Sequence, residues 1–179
     1  MKVTAKDNSA GVLKAMNQLT KSRVLVGVTQ QKSSRKDEPI NNAELTYILT
    51  NGSPLQHIPA TPIIEPAIEA PDNKAAISRE MQEGASSALD GHQMEFKKFM
   101  RRAGMTAQNA VKAWFVDPRN NWPENAPSTL RQKERAARKK MGKRIGPLEQ
   151  TRRNIDTSAL RNSMSYALEV DGKRERENE

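Results

Sequence analysis

Five prolines within eighteen residues constrain this chain more than any other feature: Pro54, Pro59, Pro62, Pro66 and Pro71. Each ring fixes φ and removes a backbone donor, and each disfavours helix at the residue before it. The spacing predicts an extended arm over 54–71. A pre-set backbone of this kind loses little entropy when it lies along a neighbour. Leu55, Ile58, Pro59, Pro62, Ile63 and Ile64 are therefore the candidate intersubunit contacts. The competing reading is that the arm packs on its own sheet.

Helical patterns flank the arm. Asn41 or Asn42 can cap a short amphipathic helix carrying Ala43, Tyr47 and Ile48, and Asn51-Gly52 ends it through a left-handed residue. After Asp72, Ile77, Met81, Ala85 and Ala88 share one helical face, and Phe96, Phe99, Ala103, Ala107, Ala110 and Trp114 share another. This predicts one long helix from about 72 to 116, bent near Gly91 or Gly104. Asp117-Pro118 ends it, and Pro118, Pro123 and Pro127 fix the loop that follows. Ser128 is placed to cap a basic helix from Thr129 to about Met141, ending at Gly142. Asp156 is placed to cap a short helix reaching Met164.

Two strands complete the pattern. Val24–Val28 is a compact β-branched run, and Tyr166–Val170 alternates. Val12, Met16 and Leu19 give a short N-terminal helix, 30–39 reads as a polar loop, and 171–179 as a disordered charged tail. There is no internal repeat. The expected fold is α+β: a small, mostly antiparallel sheet packed on one long helix, with proline-rich (54–71) and basic (128–153) arms, within a single domain over 1–170.

Such a domain has a thin core to draw on. Of the 179 residues only 35% are hydrophobic and 4% aromatic, with a mean hydropathy of −0.83. Either part of the chain stays unfolded or burial against other subunits completes the fold. With no cysteine there is neither a disulfide framework nor a thiolate metal site. Lys2–Lys6 precedes no apolar signal core, and no run approaches the roughly 18–20 residues of a bilayer span. The expectation is a soluble protein, cytoplasmic where it is made, with no membrane partner.

The net charge of +9 is local. Residues 128–153 hold 10 basic and 2 acidic groups, whereas the rest of the chain is near neutrality. Arg131, Lys133, Arg135, Arg138, Lys139, Lys140, Lys143 and Arg144 lie within 14 residues, with Glu134 the one acid among them. On a helix, Arg131, Arg135 and Arg138 share a face. Attraction to an acidic partner or to DNA in a channel stands against a solvated, flexible loop. No aromatic residue interleaves the run, so bases have no stacking platform.

Catalytic chemistry finds little footing. His57 sits in the proline arm and His92 beside a glycine, neither with a serine or carboxylate at recognisable spacing. Metal sites need three or four convergent ligands, and the carboxylates are scattered. Pro66 between Glu65 and Glu69 argues against a shared helical face. Gly142 and Gly146 lack the strand–loop–helix setting and the Lys-Ser/Thr of a phosphate cradle. No catalytic residue, cofactor or metal is expected, and Trp114 and Trp122 read as structural anchors.

Three ordered blocks carry a resemblance. The first is Asn42-Ala43-Glu44, Gly52-Ser53 and Ile58-Pro59-Ala60-Thr61-Pro62-Ile63; the second is Trp122-Pro123-Glu124-Asn125-Ala126-Pro127-Ser128-Thr129. The third is Pro147-Leu148 with Asp156-Thr157-Ser158-Ala159-Leu160-Arg161-Asn162-Ser163-Met164. Over residues 23–170 the set resembles the neck and tail-completion proteins of tailed double-stranded DNA bacteriophages. The chain departs from that pattern at Leu49-Thr50-Asn51 (His-Glu-Phe in the family), at Thr61 (an arm arginine) and at Ser158 (a glycine).

The resemblance implies a structural virion protein joining head to tail, made in the host cytoplasm and then part of the virion. It implies a homo-oligomeric ring, a hexamer first and a dodecamer second, around non-specifically held double-stranded DNA. Portal or head-completion and tail-tube proteins are the implied partners. The alternative from another class is a nucleic-acid-binding accessory protein using 131–144.

Overall fold

A computed structural model describes residues 9–35, 39–141, 152–155 and 158–174. In order these form α1 (Ser9–Thr20), β1 (Arg23–Val28), α2 (Gln30–Ser33), α3 (Asn42–Asn51), a 3-10 turn (Pro54–Gln56), α4 (Ile64–Glu69), α5 (Pro71–Leu89) and α6 (Gln93–Trp114). A second 3-10 turn (Pro118–Asn120), α7 (Pro127–Met141), α8 (Ala159–Ser163), β2 (Met164–Val170) and β3 (Lys173–Arg174) follow. The fold is α+β, as expected, with the strands in the order β1-β2-β3. β2 and β3 are antiparallel, Glu169 opposite Arg174 and Val170 opposite Lys173.

The expected single helix over 72–116 is two helices. Gly91, at φ 82°, takes the chain through a conformation that ends α5, and α6 restarts at Gln93. The proline arm also differs from expectation. Pro54 opens a 3-10 turn, and Pro66 falls in the first turn of α4, where its missing N–H breaks no helical bond. Glu65 and Glu69 thus lie on one helix after all. Residues 30–33 of the expected polar loop are helical, and β3 lies where a disordered tail is expected, at 173–174.

The chain divides into two compact units. The first takes its described residues from 1–26, 71–107 and 166–179. Its core joins Ala88 of α5 and Phe96 and Met100 of α6 to Leu168 and Val170 of β2, with Leu19 and Val24 packed against them. The α6 face is the expected one. On α5, however, the buried face is Glu80, Gly84 and Ala88, and Met81 is exposed.

The reason is close helix contact. A Cβ on Gly84 would stand 3.3 Å from Phe99 Cβ, so glycine lets the two backbones approach. Glu80 is buried because Arg102 Nη2 donates to its Oε1 at 2.9 Å. α1 buries Ala15 and Gln18, whose amide donates to Gln93 at 2.7 Å, and leaves Val12, Leu13 and Met16 exposed. The expected apolar stripe of α1 is therefore only partly turned inward.

The second unit takes its described residues from 27–70 and 108–165. Ile63, Thr61, Val111, Phe115 and Met164 are among its large, fully buried side chains. The described residues of all three sequence blocks fall within it; Pro147, Leu148, Asp156 and Thr157 lie outside the described residues.

Candidate functional site

α3 begins with a capping box. Asn41 Oδ1 accepts from Glu44 N and Glu44 Oε2 accepts from Asn41 N, both at 2.9 Å, satisfying two otherwise orphan donors. Asn41 is thus the cap and Asn42 the first helical residue. Asn42 and Thr46 face inward, while Tyr47 is 72% exposed. Asn42 Nδ2 donates to Lys32 O at 3.1 Å, and its Oδ1 is buried with no partner among the described residues.

Gly52 ends α3 at φ 74°, ψ 175°, a positive φ though not the left-handed helical well. Its N–H donates to Ile48 O at 2.7 Å. A Cβ there would stand 2.8 Å from Ala60 N and 2.9 Å from Ile58 O, so the arm folds back directly over this residue. Ser53 and Ile58 exchange backbone hydrogen bonds of 2.8 and 2.9 Å across the 3-10 turn. Leu55 at its tip is 96% exposed, Ile58, Pro59 and Ile64 are partly buried, Pro62 is exposed and Ile63 is wholly buried.

Trp122 of the second block and Asn154, just before the third, close on this arm. Trp122 Nε1 donates to Pro62 O at 3.2 Å, and its ring meets Phe115 edge-to-face at 5.8 Å. Asn154 Nδ2 donates to Thr61 Oγ1 at 2.9 Å, and Thr61 Oγ1 in turn donates to Leu49 O at 3.1 Å. Thr61 is fully buried in this relay. Arg153 Nη1 donates to Pro123 O at 2.9 Å and Glu124 O at 3.0 Å, and Arg152 donates to Val116 O. Arg161 Nε donates to Lys112 O at 2.9 Å, and Leu160 is buried.

The turn after α6 is held electrostatically. Arg119 stands over the Trp114 ring at 5.7 Å and grips Asp117, Nη2 to Oδ2, at 2.7 Å. That side-chain hydrogen bonding, opposed by partial burial and aided by the Arg119 backbone N–H and charge, holds the Asp117 carboxyl below its ordinary 3.8.

The basic segment is helical through Met141, and Pro127 occupies its first turn, the position where a missing N–H costs nothing. Arg131 and Arg135 are exposed. Lys133 turns the other way: its Nζ donates to Arg152 O at 2.9 Å and to Ile155 O. Arg138, Lys139 and Lys140 lie on the same helix, while Lys143, Arg144, Asp156 and Thr157 lie outside the described residues. Ser158, at φ 59°, rather than Asp156, directly precedes α8.

Between α3, α7 and the 152–160 stretch lies an open groove of about 780 Å³, lined by residues of all three blocks. Asn42, Asn125 and Leu160 from the blocks line it, as does Leu45 of α3; Ala43 and Pro123 are exposed. Arg153 and Asn154 are groove residues that sequence reading passed over. Their signal was the Arg152-Arg153 pair just beyond the basic run. Among the described residues no three His, Asp or Glu side chains converge as a metal site, and no helix is long and apolar enough to cross a membrane.

No family model, curated protein or solved structure matches this chain.

Proposed function

We propose that this chain is a structural subunit of a bacteriophage neck, joining the DNA-filled head to the tail as a homo-oligomeric ring around the DNA path. A hexamer is the first choice and a dodecamer the second. One observation carries the reading beyond the ordered motifs themselves. Trp122 of the second block donates to Pro62 of the first, and Arg153 and Asn154, just before the third block, donate to Pro123 of the second and Thr61 of the first. The first two blocks are thus joined directly, and the segment leading into the third is fastened to both, which supports reading the ordered motifs as parts of one scaffold.

The surface supports self-association. Leu13, Met16, Tyr47, Leu55 and Met94 are each more than half exposed, an unusual expense for a chain so poor in large apolar side chains. In a ring these side chains are buried against neighbours, portal or tail-tube proteins. Function here is shape and docking, without catalysis or a cofactor.

The exposed Arg131 and Arg135 favour a second reading, a nucleic-acid-binding accessory protein. Electron microscopy of lysates from a phage lacking this gene separates the two. Full heads accumulating apart from finished or over-long tails support the neck reading, and normal infectious particles remove it.

A further inference from the structure

The groove between α3, α7 and the 152–160 stretch has a chemistry of its own. Its volume, about 780 Å³, lies within the roughly 300–1,000 Å³ typical of ligand sites. The described residues lining it include the cations Arg35, Lys133 and Arg153 and not one carboxylate, and Leu45, Leu49 and Leu160 give it an apolar wall. Asn42 adds a hydrogen-bond acceptor in search of a donor. The residue is 4% exposed, its amide Nδ2 donates to Lys32 O, and its Oδ1 is buried with no partner among the described residues. A buried acceptor left unmade is costly, so a donor brought in through the groove is favoured there.

We propose that this groove binds an extended segment of a partner protein, one carrying an acidic side chain beside an aliphatic one. The acidic group meets Arg153, which lines the groove and whose Nη1 is held in place by the carbonyls of Pro123 and Glu124. The aliphatic group takes the leucine wall, and a backbone N–H of the segment reaches Asn42 Oδ1. A nucleic-acid backbone fits less well, because phosphodiesters carry acceptors and no donor and have nothing to place against leucines. The inference goes beyond the neck reading and does not depend on it: a peptide can bind whether or not the protein enters a virion.

The test uses the full chain and a short fluorescein-labelled peptide of alternating aspartate and leucine, read by fluorescence anisotropy. Saturable binding is expected, with the lysine–leucine analogue weaker by at least about tenfold. Arg153→Glu and Asn42→Leu should each weaken the acidic peptide at least about tenfold, whereas Arg131→Ala should not. Asn42→Leu also loses the bond to Lys32, so Arg153→Glu, at a partly exposed position, decides the matter if the first variant misfolds. In NMR spectra the Asn42 side-chain amide should shift on titration.

No saturation, equal binding of the lysine peptide, or affinity indifferent to Arg153→Glu overturns the proposal. Displacement of the peptide by equimolar duplex DNA would assign the groove to nucleic acid instead. Binding that appears only when 142–151 is replaced by a Gly/Ser linker would assign it to the chain's own segment.

Discussion

Tyr166 packs directly on Gly104: a Cβ built on that glycine would stand 2.7 Å from the ring's Cε2 and 2.8 Å from its Cγ. β2 therefore meets α6 where α6 has no side chain. This decides between two opposing effects. In a helix interior alanine is favoured over glycine by about 0.8–1 kcal/mol. Overpacking costs about 1–3 kcal/mol, and contact at Cγ, the fixed root of the ring, cannot be relieved by a rotation of its tip. Gly104→Ala should lower stability by roughly 1–2 kcal/mol in urea denaturation. In a Tyr166→Ser background the same change should be neutral or stabilising. An additive double mutant would refute the contact.

Gly52 and Gly91 both have positive φ but differ in surroundings. Nothing lies within 4 Å of a Cβ at Gly91, whereas at Gly52 it meets backbone atoms of Ile58 and Ala60. Gly91→Ala should cost only the strain of its φ, about 1 kcal/mol. Gly52→Ala must also displace the arm and should cost at least about 2 kcal/mol more, visible as a larger fall in thermal midpoint. Equal losses at the two sites would mean that the arm moves aside freely.

Asp117 makes stability depend on pH in a stated direction. Its folded carboxyl titrates below 3.8, so the unfolded chain binds the proton first as pH falls. The contribution is complete above the unfolded value and disappears as pH drops through the folded one. The melting-temperature gap between the native chain and Asp117→Asn should be constant near neutrality and close below about pH 4. A gap that widens in acid would reverse the assignment.

The basic helix α7 holds two kinds of cation. Lys133 is a structural group, and Lys133→Met should cost about 1–3 kcal/mol by leaving the Arg152 and Ile155 carbonyls without their donor. Arg131→Ala with Arg135→Ala should leave stability within about 0.5 kcal/mol, as for other exposed sites. If DNA is a partner, that pair should flatten the slope of log affinity against log salt by about 1 per lost phosphate contact. Retention on a gel over a salt series measures it.

Where each residue's local neighbours decide its conformation, the sequence was readable. The capped start of α3, its end at Gly52, the α6 face from Phe96 to Trp114 and the strands at 24–28 and 166–170 all followed from spacing and turn chemistry. The misreadings arose where tertiary contact overrides pattern. The buried face of α5 runs through Glu80 and Gly84, which no hydrophobic periodicity reveals, because one is neutralised by Arg102 and the other admits Phe99.

Other signals were present and undervalued. Asp171-Gly172 is a hairpin dipeptide, and both residues have positive φ, 53° and 72°, turning β2 into β3. Pro66, which argues against a shared helical face for Glu65 and Glu69, sits in the first turn of α4, where a proline is tolerated. At the groove, Lys133 was legible as a charge but not as a strut, since its partners are backbone carbonyls about twenty residues away. The orphaned Asn42 oxygen could not be inferred from sequence at all, because it depends on what fails to approach it.

The interleaving of the two units has a consequence for synthesis. The first unit is assembled from 1–26, 71–107 and 166–179, and the second from 27–70 and 108–165. A ribosome that has released α5 and α6 has not yet made Leu168 or Val170, so the part of Phe96 and Met100 that β2 covers must wait exposed while the second unit is translated. At about 5–20 residues per second, the roughly 60 residues between Gln108 and Tyr166 amount to several seconds of exposure. Yield in the cell should accordingly hinge on chaperone supply and on anything that slows elongation over that interval, more than on the stability of the finished chain.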